Sequence, residues 1–198
     1  MILRNTSTSY GTISILLHWL VAVAVIGLFV SGLWMVDLGY YDPWYNRAPA
    51  LHRSVGIVVV FLVMARIAWR WVGGVPKPEP GTKRWENRVA HLVHLVLIFG
   101  VLAIAAAGYL MSTAKGAPII VFDLFAVPAT IHGLPGQADV AGDVHYWLAV
   151  ALIGVAGLHA LAAFKHHFVD RDATLLRMLG MRRAHRTRTD TPLSRSDQ

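Results

Sequence analysis

This chain is free of Asp, Glu, Lys and Arg over residues 5–36, 54–65, 89–114 and 144–164. A helix rises about 1.5 Å per residue and the hydrocarbon core of a bilayer is about 30 Å thick, so about 20 uncharged residues cross it. Three stretches reach that length unaided. The second reaches it over 48–72 if Arg53 lies at one interface while Arg66 and Arg70 extend their long side chains to the other. The predicted fold is an all-α membrane protein, a four-transmembrane-helix bundle with helices near 13–36, 49–71, 89–112 and 143–166. A water-soluble bundle would carry a polar stripe on each helix, and these runs are apolar all round. Arg4 and the small residues Ala22-Val23-Ala24 resemble parts of a cleaved signal, but the apolar region is too long for one. It is expected to stay as a helix.

The net charge of +7 raises the question of nucleic acid, and the placement of the cations answers it. Fifteen of the 18 Lys and Arg residues fall at Arg4, around the second connection (Arg66, Arg70, Lys77, Lys83, Arg84, Arg88) and from Lys165 onward. Only Arg47, Arg53 and Lys115 remain for the other face. Cations concentrate on the cytoplasmic side, so both termini are expected there, with anionic lipids rather than nucleic acid as their partner. The domain then covers residues 1–180, and 181–198 is expected to be a disordered cytoplasmic tail. Residues 73–83, with Pro76, Pro78 and Pro80, read as a spacer. Residues 118–125 are too few to span and too apolar to float in water, which predicts a short helix or cap along the outer surface.

The chain has no cysteine, which excludes disulfides, iron–sulfur clusters, thiolate nucleophiles and covalently tethered haem. A metal must be held by imidazoles or carboxylates, and no Asp or Glu lies in the interior of any predicted span, which disfavours zinc and di-iron sites. Ten histidines remain to be explained, because ionisable groups inside a bilayer usually mark function. By depth, His52 and His145 belong near the outer face, and His18 and His159 near the inner. His159 follows His145 by 14 residues, two heptads, so it lies on nearly the same helix face about 21 Å deeper. Imidazoles paired across a bundle interior suit two six-coordinate haem b groups, and a filled coordination shell favours electron transfer over oxygen binding. His91 and His94 are alternatives to His18 or His159 as ligands, although a role beside the haem propionates or a quinone is preferred. Arg53, with Arg66 and Arg70 opposite, is a candidate to pair with propionates, although for Arg66 and Arg70 anchoring at the interface is the preferred role. His132, His166, His167 and His185 are expected to be interfacial or solvated. Gly27, Gly32, Gly56, Gly100, Gly108, Gly154 and Gly157 either let helices approach closely or leave room for a flat porphyrin.

Taken in order, Ile15-Leu16-Leu17-His18-Trp19, Leu51-His52-Arg53-Ser54-Val55-Gly56, Ala90-His91-Leu92-Val93-His94, the His145 and His159 pair, and Asp172-Ala173-Thr174-Leu175-Leu176-Arg177-Met178 resemble the bacterial cytochrome b561 family over about residues 7–180. That resemblance implies a dihaem quinone oxidoreductase of the bacterial inner membrane, with His18, His52, His145 and His159 as ligands and ubiquinone as acceptor. Some members resemble superoxide oxidases. Others resemble membrane anchors that relay electrons for a partner dehydrogenase or hydrogenase. For the first kind Arg47, Arg53 and Lys115 would draw an anion, whereas Asp123, Asp139 and Asp143 in the third connection oppose it.

Overall fold

The computed structural model describes residues 3–79 and 81–181. The expected disordered tail lies outside the described residues from 182 onward. Four long helices, α1 (Thr12–Met35), α2 (Arg47–Gly73), α3 (Arg84–Thr113) and α4 (Gln137–Phe168), are each long and apolar enough to cross a bilayer. The chain is therefore a multi-pass membrane protein, and Leu16, Leu20, Val23 and Val30 on α1 show the outward apolar surface that lipid requires. Helix α1 packs along α2 and α3 along α4, with thinner contact between the two pairs. Val21, Val59 and Val63 form the buried centre, joined by Leu62, Ile98 and Leu102.

Helix α3 begins at Arg84 and α4 at Gln137, earlier than the charge-free stretches indicate. Charge marks where hydrocarbon ends, but a helix can continue into the headgroup layer when its first N–H groups are satisfied. At α3 the Glu86 carboxylate accepts the Lys83 N–H at 3.0 Å. At α4 the buried Gln137 side chain donates to the carbonyls of Leu110 (2.9 Å) and Ile131 (3.0 Å), tying the helix start to the end of α3.

Between α3 and α4 the expected surface helix is instead an antiparallel hairpin, β1 (Ile119–Val121) and β2 (Phe125–Val127), in register Ile119↔Val127. Three β-branched residues in a row favour a strand. They alternate as a strand demands, with Ile119 and Val121 buried and Ile120 outward. Phe122 and Asp123 turn the chain with φ of 48° and 57°. The hairpin still caps the bundle, because Ser54 on α2 accepts the Phe122 N–H at 3.1 Å while donating to the Ala50 carbonyl at 2.9 Å.

The opposite, linker end is closed by three segments. Asn5 donates to the Gly74 carbonyl (2.7 Å) and accepts from the Gly11 N–H (2.8 Å) and the Ser14 hydroxyl (2.7 Å). Arg177 of α5 (Thr174–Met178) donates to Glu79 at 2.8 Å and to the Lys77 carbonyl at 3.1 Å. Trp19 donates to the Met178 carbonyl at 2.9 Å. The proline-rich segment is thus a strap pinned from both sides rather than a free spacer.

Candidate functional site

Two levels of histidine lie inside the bundle. At the hairpin-end level His52 of α2 faces His145 of α4, with ring centroids 6.2 Å apart and planes at 67°. Nδ1 of His145 lies 2.9 Å from the Ile104 carbonyl, which can only accept, so Nδ1 carries the hydrogen and Nε2 keeps its lone pair. Nδ1 of His52 lies 3.3 Å from Ser31 Oγ, whose hydroxyl donates to the Leu28 carbonyl at 3.1 Å. The Ser31 oxygen is then the acceptor, and His52 takes the same tautomer as His145. Both rings present a bare Nε2.

Their separation suits a shared metal. An imidazole nitrogen sits about 2.0 Å from a bound metal and about 1.1 Å from its own ring centre, so two rings on one straight axis need centroids about 6 Å apart. A cavity of about 300 Å³ surrounds the pair, lined chiefly by apolar side chains from all four helices, with Arg53 among its lining residues. A glycine makes the room at His145: a Cβ on Gly108 would lie 2.9 Å from His145 Nδ1, whereas one on Gly32 would stand at contact distance, 3.4 Å from His52 Cε1. The donor set, its tautomers and this cradle fit a bis-imidazole macrocycle.

Fourteen residues along each helix the pattern recurs with different occupants. His159 follows His145 on α4, Arg66 follows His52 on α2, and His18 and His94 precede Gly32 and Gly108 on α1 and α3. Since two heptads nearly preserve a helix face, the linker-end level receives three imidazoles and a guanidinium where the hairpin-end level has two imidazoles and two glycines. His94 and His159 stand 5.1 Å apart, centroid to centroid, at 70°. That is shorter than a straight metal-centred axis needs and is edge-on ring packing. His18 interacts electrostatically with His94, His159 and Arg66, and its buried Nδ1 has no hydrogen-bond partner. The structure thus packs His159 against His94, with His18 in electrostatic reach of both, and His94 stays open as an alternative to His18. His91 is exposed, one turn away on α3.

Arg53 lines both the histidine cavity and a surface cleft of about 180 Å³ between α2 and the hairpin, where Ser54 and Asp123 also lie. At the linker end His166 lies 2.9 Å from both Asp170 and Asp172. The hydrogen bond from Lys165, at 2.7 Å, holds the Asp170 carboxyl below its ordinary value. Sequence reasoning missed Ser31 and the Ile104 carbonyl, the groups that orient the hairpin-end rings. A backbone carbonyl leaves no mark in a sequence, and a serine on an apolar helix is commonplace.

The family described as prokaryotic cytochrome b561 matches residues 9–181. The chain is 46% identical over 180 residues to "Cytochrome b561 homolog 2" of Escherichia coli K12, covering 91% of this chain and 96% of that protein. It is 33% identical to the "Probable superoxide oxidase CybB" of Yersinia pestis, covering 88% and 97%. It is also 33% identical to "Cytochrome b562" of Cereibacter sphaeroides, covering 86% and 94%.

Proposed function

The chain belongs to the prokaryotic cytochrome b561 family, membrane cytochromes b that transfer electrons, and from that premise we propose that it holds two b haems and carries single electrons between a substrate at the outer face and ubiquinone. Each haem, when bound, supplies an iron that changes valence by one electron. His52 and His145 would hold the hairpin-end group, and His18 and His159 the linker-end group. The observation that carries this reading is the 6.2 Å spacing of His52 and His145 with both Nδ1 hydrogens engaged.

Each side chain has a physical task. The hydrogen bonds from Nδ1 to Ser31 and to the Ile104 carbonyl orient the rings and raise the basicity of Nε2. Two imidazoles per site leave no open position, which favours electron transfer over oxygen binding. The 14-residue step along α4 separates the levels by about 21 Å, a large part of the hydrocarbon thickness. The cation distribution supports the hairpin end facing outward and both termini lying in the cytoplasm of a bacterial cell, in its inner membrane. Arg53, which lines the hairpin-end cavity, would pair with a propionate, and His94 with His91 would stand beside the linker-end propionates or the quinone.

Superoxide is the favoured outer donor because a relative covering 88% of this chain carries that activity in its name and Arg53 joins the surface cleft to the histidine cavity. Purified chain supplied with superoxide and ubiquinone should form ubiquinol without any added protein. The competing reading, a membrane anchor relaying electrons for a partner dehydrogenase or hydrogenase, predicts no such activity and a stoichiometric partner after purification in mild detergent.

A further inference from the structure

Every described acidic side chain can be located. Asp37, Asp42, Asp123, Asp139 and Asp143 lie toward the hairpin end. At the linker end Glu79 pairs with Arg177 (2.8 Å), Glu86 and Asp170 with Lys165 (3.6 and 2.7 Å), and Asp172 with His166 (2.9 Å). Arg66 makes no ion pair with any of them, although it is half-buried and sits inside α2. Its electrostatic neighbours are Tyr10, Arg70 and the three imidazoles of His18, His94 and His159.

A guanidinium held within the span without a protein carboxylate is costly unless something else supplies an anion. Two sources offer one, a lipid phosphate and a haem propionate, and position separates them. Arg66 lies 14 residues from His52, so it shares the inward face of α2 and the level of His159. Arg70, one turn nearer the linker end and exposed, is the better placed of the two for a headgroup. The planar fork of arginine also matches a carboxylate.

We infer that Arg66 is the counter-ion for the propionate carboxylates of the linker-end haem and raises that haem's reduction potential. This rests on the dihaem reading and replaces the simple anchoring role that sequence favours for Arg66. The sign follows from charge: oxidised haem is one unit more positive than reduced haem, so a neighbouring cation favours the reduced form.

The test uses the full-length chain carrying His145→Ala, so that a redox titration reads the linker-end haem alone. Adding Arg66→Gln should lower its midpoint potential, whereas Arg66→Lys and Arg70→Gln should leave it close to the parent. Loss of that haem from the Gln variant but not from the Lys variant would support the same assignment. An unchanged potential in Arg66→Gln would overturn it and leave Arg66 to a lipid phosphate, as would haem loss from both Arg66 variants. A wild-type chain that binds no haem would remove the dihaem reading itself and this inference with it.

Discussion

His145 and His52 are held through their Nδ1 atoms by a carbonyl and a serine oxygen, so at this level the chemistry is decided by which nitrogen is left bare. The depths of His18, His52, His145 and His159 were legible in the sequence because an imidazole inside a span stands out as rare and costly. The glycines were not, since close helix packing and cofactor room ask for the same residue. The structure separates the two uses. A Cβ on Gly100 would strike Leu152 at 2.6 Å, which is helix approach, whereas one on Gly108 would meet the His145 ring at 2.9 Å. Gly108→Ala should therefore displace an imidazole and lower occupancy of the hairpin-end haem, with an overpacking cost of about 1–3 kcal/mol. Gly32→Ala, whose new Cβ would stand at ordinary contact distance of 3.4 Å from His52, should keep its haem. Haem per chain, measured on both variants, checks the contrast; equal retention would contradict it.

Among the elements, the four spans follow from hydropathy, and their true starts at Arg84 and Gln137 do not, because those depend on the Glu86 and Gln137 side chains. The hairpin was readable only as a cap. Its run of Ile119, Ile120 and Val121 is short, and strand formation there depends on a partner segment and on Ser54 from another helix. Ser54 is buried and its hydrogen bond from the Phe122 N–H is part-buried, so Ser54→Ala removes that partner. That loss is worth about 0.5–1.5 kcal/mol. Amide hydrogen exchange should then quicken across residues 119–127 while the helix interiors keep their protection. Unchanged exchange in the hairpin would show that the serine does not hold it.

Across the whole molecule, two helix pairs in thin mutual contact leave an interior that side chains do not fill. A 14-residue repeat places the chemistry at two levels of that interior, and the levels differ in kind: two imidazoles with glycine room near the hairpin, three imidazoles and Arg66 near the linker. The levels themselves were visible in the sequence. That His94 packs against His159 was not, because sequence gives depth along one helix but not the rotation of its neighbours. The most direct measurement is a reduced-minus-oxidised difference spectrum of the purified chain with haem quantified per polypeptide, repeated on His145→Ala and His159→Ala. The account predicts two low-spin b haems in the parent and one in each variant, the hairpin-end haem lost from the first and the linker-end haem from the second. A parent without haem, or either variant retaining both, would contradict it.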